Sequence, residues 1–192
     1  MNKLKICRIT SAFPPPWEGL GPGPYELSLA QAQSGHDLTV ITKYSSGCES
    51  LDEAASFKIC RIKVKRNLIF SLLAAIKFLV LHLKEKFDVV HNHGDSAIAL
   101  ILLKRIFFFK TPIVTSVHIA RKAQYKAIQK ADIYKIPREI LGKEEIEMLP
   151  SIVSNRKVLC LENIYINLSD SLAAVSEGLR MDIKNEYSIS DN

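Results

Sequence analysis

The stretch Leu4-Lys5-Ile6-Cys7-Arg8-Ile9-Thr10 runs into Phe13-Pro14-Pro15-Pro16-Trp17-Glu18-Gly19-Leu20-Gly21-Pro22-Gly23-Pro24, and then into Tyr25-Glu26-Leu27. The opening is strand-like, and the residues from Tyr25 to Ser34 suit a helix. Five of the chain's eight prolines and three of its eight glycines fall in the loop between them. Glycine permits positive φ and close approach of backbone to a ligand, and Pro24 suits a first helical turn, where its missing N–H costs nothing. The free N–H groups of the helix start are then expected to face outward as an anion site. Strand, glycine loop and helix in this order are how a doubly wound sheet receives phosphate-bearing ligands.

Working outward, strand and helix alternate. Gly35-His36-Asp37 turns into a second strand, Leu38 to Thr42, and a polar loop runs through Ser56. A third strand is expected over Phe57 to Val64, a long helix over Leu68 to Lys84 and a fourth strand over Asp88 to Asn92. A helix from Ser96 to Phe109 and a fifth strand from Pro112 to His118 follow. Arg121 to Lys157 is charged and helical, broken by Pro137 and Pro150, and reads as an insertion beside the sheet. Arg156 to Leu168 reads as a helix and Ser171 to Val175 as a sixth strand, after which Ser176 caps a last helix with Glu177 in its first turn. The fold class is therefore α/β: a Rossmann-like, doubly wound, mainly parallel sheet of about six strands with helices on both faces.

At 192 residues and 47% apolar content the chain can bury a full core, and one domain over residues 1–192 is the expected count. Cys7, Cys48, Cys60 and Cys160 lie far apart without a CxxC pair, which argues against a zinc site and against a disulfide framework. A reducing cytoplasm fits. The N-terminal apolar stretch is broken by Arg8 and ends in prolines, a poor secretory signal.

The net charge of +6 is unevenly placed. Phe57 to Lys84 contains no acid, while Lys58, Arg61, Lys63, Lys65, Arg66, Lys77 and Lys84 are all cationic. Such a face attracts phosphates or anionic lipid head groups, or serves only as a solvated surface. Leu68 to Leu83 is too short to span a bilayer and is interrupted by Lys77 and His82. It reads as a helix packed on the sheet, with peripheral contact on an anionic membrane, at its inner face, as the alternative. Nucleic-acid binding is not expected, because the basic residues are not interleaved with aromatics.

His91 and His93 alternate around Asn92 and share one side if the strand extends that far, and His118 closes the fifth strand. In a parallel sheet all three fall at the carboxyl edge, with the glycine loop. A three-histidine metal site is weighed and set aside for want of a carboxylate or water-activating partner. His91 is assigned a structural role and His118 a ligand contact.

Four runs, FPPPWEGLGPGPYELSLAQAQSGHDLTVIT, FDVVHNHGDSAIALILLK, TPIVTSVH and SDSLAAVSEGLRMDI, together resemble the N-terminal domain of glycosyltransferase family 4, the retaining transferases of the two-domain GT-B fold. The resemblance implies an acceptor-binding half of an enzyme that moves a sugar from a nucleotide-sugar donor to a sugar or lipid-linked acceptor. The family's Gly-Gly pair falls on Glu18 and Gly19, so its first glycine is replaced by a carboxylate. Gly19 and Gly21 remain for close backbone approach, and His118 matches the histidine that lies against the transferred sugar; His93, from its place at the end of the fourth strand, is the further substrate-binding candidate. Glu177 matches the family's Ser-Glu pattern, and a helix N-terminus explains it without catalysis. The resemblance implies no cofactor within this chain, the nucleotide-sugar being substrate. The family's donor-domain motifs, a basic pair and paired glutamates, are not found before Asn192. The donor domain is therefore expected to be absent from this chain and encoded separately, and the chain to be inactive alone. A non-catalytic membrane or protein-binding module, and a flavodoxin-like mononucleotide binder, are the alternative readings.

Overall fold

The computed structural model describes residues 3–107, 109–131 and 156–189, with 127–131 by backbone alone. The strands are β1 (Lys5–Ile9), β2 (Asp37–Lys43), β3 (Lys58–Ile62), β4 (Val89–His93), β5 (Ile113–Val117) and β6 (Ser171–Ala174). The helices are α1 (Pro22–Gln33), α2 (Glu49–Ala54), α3 (Asn67–Glu85), α4 (Ile98–Phe107), α5 (Arg121–Ala131), α6 (Arg156–Leu168) and α7 (Glu177–Tyr187). The remainder of the expected insertion, 132–155 with Pro137 and Pro150, lies outside the described residues.

The six strands form one sheet in the order β3-β2-β1-β4-β5-β6. Its pairs run parallel, with Cys7 opposite Thr39 and Val90. This is the doubly wound order, in which the winding reverses between β1 and β4. The chain forms two compact units, Met1–Ser116 with Leu168–Ala173, which carries the sheet, and Val117–Asn167 with Ala174–Asn192.

Parallel strands covered on both faces read as continuous apolar runs, and β1 and β2 are buried almost end to end. On one face Ile6, Leu38 and Val40 pack with Phe13 and Phe57 beneath Tyr25, Leu29 and Ala32 of α1. On the other, Thr39 donates to the Glu85 carboxylate at the end of α3. Helices thus cover both faces, as the alternation of side chains along a strand requires.

Three local readings change. The loop expected through Ser56 contains α2, whose six residues show no apolar repeat. Helix α1 starts at Pro22 rather than Tyr25, with Gly21 in the N-cap position. Helix α3 extends to 19 residues and is by length and composition alone able to cross a membrane. Its inner face, with Phe70, Ala74, Ala75, Phe78 and Leu81, is nevertheless built into the core. The outer face stays exposed along its length.

In the second unit Glu162 of α6 is fully buried and satisfied. It accepts from the backbone N–H of Arg121 at 3.0 Å and of Lys122 at 3.2 Å, and from the Tyr187 hydroxyl. A carboxylate at the start of α5 meets the positive end of that helix, and the phenol of Tyr187 is pushed well above its ordinary value by burial and by this bond. Ser176 caps α7 by accepting from Leu179 N–H at 3.2 Å, and Glu177 pairs with Arg180 at 3.0 Å.

Candidate functional site

The switch point places two loops side by side, one after β1 and one after β4. They are joined directly, because the Ser11 N–H donates to Ser96 Oγ at 2.9 Å. Asn92, fully buried in β4, braces the second loop: its amide donates to the Gly94 carbonyl at 2.7 Å and to Thr115 Oγ1 at 3.0 Å, and its oxygen accepts from Ala97 N–H at 2.8 Å. Gly94 has φ +55° and its N–H reaches the Ser116 carbonyl at the end of β5.

In the first loop Gly19 has φ +60°, and nothing stands within 4 Å of where a Cβ would be. Its backbone is therefore open to an incoming group. Gly21 N–H donates to the Glu18 carbonyl at 3.3 Å, and a Cβ there would meet Pro16 O at 3.4 Å. Glu18 is exposed. The earlier start of α1 weakens the expected anion site: Pro22 and Pro24 carry no N–H, so Gly23 alone supplies a donor among the first three residues.

The loop is held from β3. Arg61 donates through Nη2 to the Pro14 carbonyl at 2.6 Å and to Asp52 Oδ1 at 2.8 Å, through Nε to Asp52 Oδ2 at 3.0 Å, and through Nη1 to the Lys43 carbonyl at 3.1 Å. Its guanidinium also lies 5.6 Å from the centroid of Phe13. Trp17 and Tyr25 meet edge to face at 4.9 Å. Arg61 therefore shapes this loop instead of adding to a free cationic surface, and Lys58 is likewise paired, with Glu85 at 2.5 Å.

Arg8 is fully buried in β1 and faces α1, donating to the Pro24 carbonyl at 3.1 Å, to Ser28 Oγ and to Gln31 Oε1 at 2.6 Å. Its Nη2 stands 3.0 Å from His91 Nδ1, and His91 Nε2 stands 2.8 Å from Ser116 Oγ. Burial lowers the Arg8 guanidinium to about 10, still cationic at neutral pH. His91 and His93 lie on one side of β4 with ring centroids 4.6 Å apart. Glu18, Gly19, Gly21 and His93 thus belong to one edge of one sheet. His118 follows β5 directly and lies in the second unit, half-buried, with its imidazole pushed below the ordinary value by burial. Among the described residues no group of three His, Cys, Asp or Glu could hold a metal ion.

The profile of Glycosyltransferase Family 4 matches residues 18–192. The chain belongs to that family. Among curated proteins none matches its sequence. A UDP-N-acetylglucosamine 2-epimerase from Listeria monocytogenes is similar in structure, with TM-score 0.55 and 12% identity, over 97% of this chain and 43% of that one. Sucrose-phosphate synthase from Thermosynechococcus elongatus gives 0.51 and 13%, over 90% and 48%. A second UDP-N-acetylglucosamine 2-epimerase gives 0.51 and 16%, over 100% and 45%. These are GT-B proteins, and this family 4 chain spans under half the length of each.

Sequence reasoning found the loop and the histidines of this family 4 chain but missed Arg8, Asp52 and Arg61 as the residues that set them. The available signal was Arg8 itself, a cation inside the apolar run Ile6-Cys7-Arg8-Ile9.

Proposed function

We propose that this chain is the acceptor-side half of a retaining sugar transferase, which moves a sugar from a nucleotide-sugar to a sugar or lipid-linked acceptor. The observation that supports the reading is the open backbone of Gly19 in the loop that follows β1, the strand paired with β4, which ends at His93. Gly19 lets a phosphate-bearing donor come against the main chain, and Gly21 closes the loop beneath it. Glu18 sets a carboxylate beside that approach, so the diphosphate has to sit away from the pose a glycine would allow. His118, neutral at pH 7, hydrogen-bonds a sugar hydroxyl, and its dipole stabilises the oxocarbenium-like transition state. Neutralisation of the leaving diphosphate falls to cationic groups of a donor-binding lobe outside these 192 residues.

Titration of UDP-, GDP- and ADP-sugars into the isotope-labelled chain tests this. The expected result is weak binding that shifts the Gly19, Gly21 and His93 amides and is abolished by Gly19→Val. Sugar transfer by the isolated chain, or saturating binding that leaves those amides unmoved, overturns it.

A further inference from the structure

Helix α3 is apolar on both sides, and only one side is used. Leu68, Ile69, Leu72, Leu73, Ile76, Leu79, Val80 and Leu83 are all exposed, Leu83 to 82%. At 100° per residue they form one continuous stripe opposite the buried Phe70, Ala74 and Phe78. The stripe runs from Leu68 to Leu83, about 24 Å at 1.5 Å per residue. Helix α4, which packs against α3, also carries exposed Leu102, Ile106 and Phe107. An apolar surface of this extent marks an interaction site, not ordinary surface scatter.

The charges around the stripe indicate what covers it. Lys77 and Lys84, seven residues apart and both exposed, line one edge of it, and Lys63, Lys65 and Arg66 stand exposed just before its first turn. Neither Lys77 nor Lys84 makes an ion pair among the described residues. Glu85, the one acid within α3, is engaged by Lys58 and Thr39 on the sheet side. A second copy docked antiparallel about a twofold axis would bring the Lys77 and Lys84 edge onto the same side as its own copy, which is unfavourable.

We propose that the outer face of α3 lies on an anionic lipid bilayer, with the leucine and isoleucine side chains at the head-group and acyl boundary and the two lysines reaching the lipid phosphates. The helix rests in the plane of the interface, because its other side is committed to the sheet. Apolar area supplies adhesion and the lysines supply preference for anionic lipid, roughly fivefold per lysine. The assignment does not depend on sugar transfer, and its test contains no donor.

The test is co-sedimentation of the full chain with phosphatidylglycerol–phosphatidylcholine vesicles and with phosphatidylcholine vesicles alone, at low and high salt. Binding is expected to favour the anionic vesicles and to weaken in salt. Lys77→Glu with Lys84→Glu, and separately Ile76→Ser with Leu79→Ser, should each weaken it at least about tenfold, with the circular dichroism of the unmodified chain retained. Leu83→Trp in a Trp17→Phe background gives a readout without loss of binding: its fluorescence should shift to the blue on anionic vesicles. Equal binding to both vesicle types, no binding to either, or a dimer dissociated by Ile76→Ser with Leu79→Ser, overturns the proposal.

Discussion

Arg8 Nη2 donates to His91 Nδ1 across 3.0 Å, joining the two strands at which the sheet reverses its winding. A guanidinium has only N–H donors, so Nδ1 is the acceptor and the His91 proton sits on Nε2, donated to Ser116 Oγ. Nitrogen NMR should therefore show His91 as the neutral Nε2–H tautomer. Arg8→Lys cannot keep the fork that reaches Pro24, Ser28, Gln31 and His91 together, and should cost on the order of 3 kcal/mol in denaturant unfolding. Stability within about 0.5 kcal/mol of the unmodified chain would show that this network holds nothing.

Asp52 is the counter-ion of Arg61, whose side chain is only 7% exposed. Asp52→Asn leaves that cation with its carbonyl partners but without a balancing charge. The expected cost is about 2–4 kcal/mol, read as a lower denaturation midpoint at unchanged m-value. Because Arg61 also holds the Pro14 carbonyl, amide exchange in the 13–21 loop should rise in the same variant.

Gly19 and Gly23 provide a matched pair. Gly19 needs φ +60°, so Gly19→Ala should destabilise by about 1–2 kcal/mol although its surroundings are open. Gly23 lies in the first turn of α1 without positive φ, but Pro24 follows it and crowds any Cβ in the helical region, which offsets alanine's helix preference, so Gly23→Ala should cost no more than about 0.5 kcal/mol. Thermal unfolding of both variants checks the size of each.

Burial lowers the His118 imidazole below its unfolded value of 6.5. A lowered value means that the unfolded chain binds the extra proton first, so the stabilisation is complete above pH 6.5 and is lost as pH falls through the folded value. Stability measured against pH should decline below pH 6.5 more steeply in the unmodified chain than in His118→Gln. Identical slopes would indicate an imidazole that titrates as if in water.

Much of the fold was legible because its signals are local. Proline and glycine mark the first loop, apolar runs mark the buried strands, and Ser176 with Glu177 announces a helix start that the structure keeps. Helix α2 was not legible, since Glu49 to Ala54 carries no apolar repeat and the side-chain bonds it makes are polar, Asp52 with Arg61 and Glu49 with Tyr44. The start of α1 was misplaced because Pro24 fits any position in a first turn. Its true start at Pro22 removes two N–H donors from the expected anion site. The cationic run Phe57 to Lys84 read as one face, whereas Lys58 and Arg61 are neutralised by acids outside it and Lys77 and Lys84 border the apolar stripe.

The amino-acid order alone determined the alternation of strand and helix, the parallel sheet and the edge at which the glycine loop sits, since periodicity and backbone restrictions act over a few residues. Only the folded chain decided which side of α3 is covered, because a helix with two apolar sides carries no internal instruction to choose between them. It also decided that Arg8 and Arg61 turn inward. Whether a buried guanidinium is tolerable depends on acceptors that lie 9 to 83 residues away along the chain, and those meet it only when the strands are assembled.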